Sequence, residues 1–124
     1  MFNIAILTGR LTATPELKTT PNGVSVCSFS IAVNRPYRQG EEQQTDFINI
    51  VAWRQTAEFI SRNFIKGSMI GIEGAIQTRK YQDKDGNNRT VFEVVANNVQ
   101  FVGSKNGNTS ETIEDSEADE DINF

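Results

Sequence analysis

Between Asp46 and Trp53 the side chains alternate, and alternation sorts them onto two faces of a strand. Ile48, Ile50 and Ala52 form one unbroken apolar face, which belongs in a core. Phe47, Asn49, Val51 and Trp53 form the other, two large aromatics flanking an amide on the side that turns away from the interior. A soluble domain does not normally leave such a surface in water without a use for it. Further on, Gln77, Arg79 and Tyr81 share one parity with Lys80 beside them, and the loop before the first aromatic strand adds Arg35, Tyr37 and Arg38. Cations that follow phosphates, interleaved with flat rings on which unpaired bases stack at about 1–3 kcal/mol per base, are what a single nucleic-acid strand requires. Stacking is indifferent to sequence, so low sequence preference is expected. Binding should weaken with salt, at a slope near ~0.7 per phosphate neutralised.

Each of these residues also has a plainer reading. A lone aromatic such as Tyr37 packs under a loop or a subunit contact as readily as it meets a base, and Arg79 and Lys80 without Tyr81 would be ordinary solvated charges. A pure interaction scaffold, with the aromatics as protein contacts, would bind oligonucleotides weakly and without regard to their length. An RNA-binding module is a closer rival, because DNA and RNA differ at the 2′-hydroxyl and sequence does not show contacts to it. Enzymes fare worse. The chain has no His, which removes His-based nucleophile schemes and most zinc sites. The acids of the first 103 residues are scattered, and Asp83-Lys84-Asp85-Gly86 reads as a hairpin turn rather than as calcium ligands. With no phosphate-binding glycine loop either, the expectation is a protein with no catalytic residues, no metal and no cofactor.

Strand-like alternation is what positions these side chains. A first strand should run from Asn3 to Leu11, and a second from Val24 to Asn34 after the turn signal Pro21-Asn22-Gly23. In the second, the apolar residues change parity between Val26 and Phe29, which reads as a β-bulge near Cys27-Ser28. The aromatic strand Asp46–Trp53 is third. Ala57, Ile60, Ser61 and Phe64 then fall on one helical face, with Thr56 as a candidate N-cap and Lys66-Gly67 as a basic last turn and C-cap. Alternation returns in Ile70, Ile72, Gly74 and Ile76, crosses a loop at Asp83–Asn88, and continues from Thr90 to Val102. Three strands, one helix and two strands match a mainly β, five-stranded OB-fold barrel with one helix between strands 3 and 4. A small α+β sheet domain fits the same string nearly as well.

Charge divides the chain in two. Of 124 residues, 12 are Lys or Arg and 16 are Asp or Glu, an acidic balance that argues against a polyanionic partner. Seven of those acids and one base lie beyond residue 103, so residues 1–103 carry a net charge of +2 and residues 104–124 carry −6. The first part is expected to be the folded binding domain. The second is an acidic segment with too little apolar surface to order itself, a disordered tail by composition, yet it ends Ile122-Asn123-Phe124. Cys27 is the single cysteine, no basic-then-apolar leader opens the chain, and no run reaches the ~18–20 apolar residues of a membrane helix. A cytoplasmic protein without a membrane partner is the expectation.

Taken in order, Leu7-Thr8-Gly9-Arg10-Leu11 with Thr14-Pro15-Glu16, Thr20-Pro21-Asn22-Gly23, Ile72-Glu73-Gly74 with Thr78-Arg79-Lys80-Tyr81, and the acidic C-terminus resemble the bacterial homotetrameric single-stranded DNA-binding proteins, including phage-encoded ones, from Asn3 to Phe124. The resemblance implies a homotetramer around which single-stranded DNA wraps during replication, recombination and repair, associated with the nucleoid. It implies base stacking on Tyr37, Phe47, Trp53 and Tyr81, and a phosphate and polar path through Arg10, Arg35, Arg38, Asn49, Arg54, Lys66, Arg79 and Lys80. It also implies a partner-recruiting tip, Asp119, Glu120, Asp121, Ile122, Asn123 and Phe124, for replication and repair proteins. Asn123 stands where the family has proline, which removes some preorganisation.

Overall fold

The structure is a computed structural model that describes residues 1–103. The expected tail and its tip, residues 104–124, lie outside the described residues. Six strands and one helix follow in the order β1 (Ala5–Leu11), β2 (Lys18–Thr19), β3 (Ser25–Asn34), β4 (Thr45–Trp53), α1 (Arg54–Asn63), β5 (Met69–Gln82) and β6 (Asn88–Phe101). Apart from the two-residue β2, the long strands number five, with the helix between the third and fourth of them.

The sheet runs β1-β5-β6-β4-β3-β2, and β1 also pairs with β3, so the ladder closes into a barrel. All pairings are antiparallel except β4 with β6, which is parallel at Ile50↔Val94 and Val51↔Val95. Closure leaves no long edge inside the ring to template aggregation. The interior is filled by Leu11, Ile31, Ile50, Ile70 and Ile72, and Ala57, Ile60 and Phe64 at and just beyond α1 join the same core. Phe64 stacks on Phe101 at 4.9 Å between ring centroids, and Phe59 meets both rings edge-on.

Two of the sharp turns show how the residue types make them. Gly23, at φ 83°, closes the β2–β3 hairpin, its N–H donating to the Thr20 carbonyl at 2.8 Å. At the tip of the β5–β6 hairpin the Asp83 carboxylate accepts from the N–H groups of Asp85 and Asn87 at 3.0 and 2.9 Å, and Gly86 supplies φ 84°.

Four details differ from the sequence reading. β3 carries no bulge at Cys27-Ser28: its register with β4 is unbroken from Val26↔Trp53 to Asn34↔Thr45. Cys27 is itself the buried residue in the series Cys27, Phe29, Ile31, and Val26 simply faces outward. The register shift lies instead in the β5–β6 pair, between Glu73 and Gly74, where Asn97 is the extra residue. Thr56 does not cap α1, whose N-cap is Trp53 with no side-chain cap bond, and Gly67 lies in the turn that follows the extended C-cap Phe64. Finally, Ile76 does not continue the core. β5 loses its β1 partner after Gly74, and beyond Ile76↔Val94 β5 and β6 form a two-stranded arm, paired only with each other out to Gln82↔Asn88; Ile76 is 49% exposed.

Candidate nucleic-acid interface

Paired residues in a sheet point to the same side, so the register fixes which side chains share the barrel's outer face. On β4 these are Phe47, Asn49, Val51 and Trp53. Their partners on β3 are Ala32, Ser30, Ser28 and Val26. Across the parallel pair, Val51 meets Val95 of β6, and the same side of the β5–β6 arm carries Gln77, Arg79 and Tyr81 opposite Glu93, Val91 and Arg89. Phe47 is 69% exposed, Trp53 43% and Tyr81 45%. One continuous surface across β3, β4, β6 and β5 therefore carries three exposed rings, the exposed Asn49 and Arg79, with the small Ser28, Ser30 and Ala32 leaving room beside the rings.

The remaining sequence-predicted residues distribute around this surface. Arg10 pairs with Ala32, two strands from Phe47 on the same side, and its Nη1 donates to the Gly67 carbonyl at 3.0 Å. Exposed Lys66 lies in the adjoining turn. Tyr37, 67% exposed, and Arg38 are on the β3–β4 loop. Lys80 has the opposite parity from Arg79 and Tyr81 and lies on the other side of the arm. Arg54 has φ 58°, the one non-glycine positive φ among the described residues, a conformation costing an L-residue roughly 1–2 kcal/mol. That kink turns β4 directly into α1, and beside Trp53 it lines an open groove of about 580 Å³ with Gly23, Ser25, Gln55 and Asn97.

The cations are held in different ways. Arg35 gives Nε and Nη2 to the two carboxylate oxygens of Asp46, both at 3.0 Å, and Nη1 to Gln44 Oε1 at 3.0 Å. This fork holds the Asp46 carboxyl below its ordinary value, chiefly through the hydrogen bond from Arg35. Arg79 gives only Nε, to Glu93 Oε1 at 2.9 Å. Arg38, Arg54, Lys66 and Lys80 make no side-chain ion pair among the described residues. Cys27 is buried, its thiol pushed up to about 11 by that burial, which leaves it protonated and inert at neutral pH. No group of three or more potential metal ligands, and no helix long and apolar enough to cross a membrane, occurs among the described residues.

The description of the Single-strand binding protein family matches residues 2–102. The chain belongs to that family. Among curated proteins of the family, "Single-stranded DNA-binding protein 3" of Listeria innocua is 47% identical over 122 residues, covering 90% of this chain and 76% of the relative. "Single-stranded DNA-binding protein" of Staphylococcus aureus is 46% identical over 112 residues, covering 90% and 72%. A closed five-strand barrel with one helix is the OB architecture. Sequence reasoning missed Glu93 and the small residues Ser28 and Ser30. Unbroken alternation along β3 would have placed the two serines beside Asn49 and Val51, but the assumed bulge obscured it.

Proposed function

We propose that this protein binds single-stranded DNA without regard to sequence, with no catalysis and no cofactor, and protects it during replication, recombination and repair in the cytoplasm, at the nucleoid. The observation that carries the reading is the gathering of Phe47, Asn49, Trp53, Arg79 and Tyr81 on one outer face, while the alternate residues of β4 build the core. Bases stack on Trp53, Phe47, Tyr81 and Tyr37, and phosphates follow Arg79, Arg54, Arg38, Lys66 and Arg10, with Lys80 joining only where the strand passes round the edge of the arm. Arg35 joins that path only by giving up Asp46.

The active form is a homotetramer. Exposed apolar side chains on and before β1 (Phe2, Ile4 and Ile6), with Ile76 and Phe92 on the arm, support burial between copies. The acidic segment ending in Asp119-Glu120-Asp121-Ile122-Asn123-Phe124 captures replication and repair proteins, its apolar end entering a pocket with a basic rim.

Titrating intrinsic fluorescence with poly(dT) at low and high salt tests the central claim, since Trp53 is the single tryptophan. Strong quenching that salt weakens, and that matched duplex does not produce, supports a base on Trp53. Tighter binding to poly(U) than to poly(dT) transfers the reading to RNA, and no binding by filter retention removes it.

A further inference from the structure

On the outward side of the β5–β6 arm a carboxylate lies where a polyanion is expected to pass. Glu93 stands opposite Gln77 in the ladder, with Val91 and Val95 flanking it on its own strand, and its side chain is only 15% exposed. It accepts a hydrogen bond from Nε of Arg79 at 2.9 Å, while the Arg79 side chain itself is 61% exposed. The two terminal nitrogens of Arg79 make no hydrogen bond with another described residue. The guanidinium is thus gripped along its inner edge, and the outer edge, whose two parallel N–H groups match a phosphate, is left open on the strand side that carries Tyr81. Arg35 is the contrast, because Asp46 takes its Nε and Nη2 and Gln44 takes its Nη1, so no edge of its fork is open.

We infer that Glu93 is a positioning residue for single-strand binding, holding Arg79 by Nε so that its outer edge meets a phosphate beside the base stacked on Tyr81. The inference rests on the proposed binding face and adds to it a residue of the wrong charge for direct contact. Two effects oppose each other. A carboxylate one guanidinium away from the phosphate repels it, by roughly threefold in affinity at the dielectric of water, by more at the lower effective dielectric of a partly buried site, and by less as salt screens it. Immobilising a long side chain in advance spares binding up to about tenfold. For Glu93 to help, preorganisation must outweigh this repulsion, which it does only where the carboxylate leaves the fork open, as Glu93 does.

The test uses the full chain, titrated with a dT oligonucleotide over a range of salt with Trp53 fluorescence as the signal. Glu93→Leu suits the half-buried site between the valines but removes the acceptor. It is expected to weaken binding about three- to tenfold and to lower the salt slope by up to ~0.7. Glu93→Gln, which keeps an acceptor for Nε, is expected to recover part of that loss. Arg79→Ala should cost at least as much as Glu93→Leu, and the double variant no more than Arg79→Ala alone. Arg79→Lys keeps the charge but has one nitrogen for two tasks, so it should bind less tightly than the native chain. This arm of the test does not depend on the stability of the Glu93 variants.

Tighter binding by Glu93→Leu and Glu93→Gln alike would show a repelling acid and overturn the inference. So would unchanged affinity in Glu93→Leu, full additivity in the double variant, or native affinity in Arg79→Lys. If Arg79→Ala is silent while Trp53→Ala, followed by filter retention because it lacks the fluorophore, is weakened, the arm is not on the binding path, and the placement of Arg79 fails together with its positioning. If Arg79→Ala is weakened and Glu93→Leu is not, only the positioning fails.

Discussion

At the scale of single residues, exposure and hydrogen bonding separate side chains that share a type. Trp53 is held at the end of β4 with 43% of its surface open, enough for a base to lie on the indole. Trp53→Ala is expected to weaken single-strand binding by about 1–3 kcal/mol at constant salt, as is Phe47→Ala, because each removes one stacking ring. Titration of the Phe47 variant by tryptophan quenching and of the Trp53 variant by filter retention checks both. Arg35 should behave otherwise. Its fork is occupied by Asp46 and Gln44, so Arg35→Ala is expected to leave the salt slope near its native value and instead loosen the β3–β4 loop, which amide exchange at Gln44 and Asp46 would report. A lowered salt slope in Arg35→Ala would show that DNA displaces Asp46. Sequence could place Phe47, Asn49 and Trp53 correctly, since strand alternation alone assigns their side. It could not tell Arg35 from Arg79, because their carboxylate partners lie 11 and 14 residues away and the difference is one of which nitrogen is engaged.

At the scale of elements, the arm and the barrel have different determinants. The arm depends on its tip, where Asp83 is held below its ordinary carboxylate value of 3.8 by the Arg89 side chain first, and then by the Asn87 and Asp85 N–H groups. A folded-state value lowered in this way contributes stability that is complete above 3.8 and is lost as pH falls through the lowered value. Amide protection at Asp85 and Asn87 is therefore expected to fall in that acid range while protection of Ile50 and Ile72 persists, and simultaneous loss would mean that the arm and barrel open together. The barrel depends on close backbone approach at the register shift. A Cβ on Gly74 would overlap the Val95 carbonyl, so Gly74→Ala is expected to destabilise by at least the ~1–3 kcal/mol of an overpacked core, read as a lowered midpoint in urea. Period-two alternation made most strands legible, and helical spacing found α1 through Ala57, Ile60 and Phe64. What alternation could not show was where a strand stops being covered. Ile76 has the same parity as Ile70 and Ile72, and its partner Val94 is buried, yet it lies past the Ala5↔Gly74 end of the β1–β5 pairing, where β6 is its one strand neighbour. The shift at Asn97 was equally hidden, because β-bulges are set by the partner strand and Val26 merely mimicked one.

At the scale of the whole molecule, the ring closes through contacts far apart in the chain, β1 with β5 and β4 with β6, and the charge is divided along it. Residues 1–103 carry +2 and residues 104–124 carry −6, so a chain that is acidic overall presents a mildly basic domain to its ligand. The acidic segment and a phosphate backbone repel each other and compete for the same cations, an interaction whose range shrinks from ~10 Å at 0.1 M salt to ~3 Å at 1 M. Removing residues 104–124 is therefore expected to tighten single-strand binding at low salt, with the two forms converging as salt rises. Removing only Ile122, Asn123 and Phe124 leaves all seven acids in place. That shorter deletion should leave DNA affinity close to native at every salt while abolishing capture of a partner with a basic-rimmed apolar pocket. Weaker DNA binding after either deletion would mean that the acidic segment helps to hold the strand, and the division of labour between a binding barrel and a recruiting tip would fall with it.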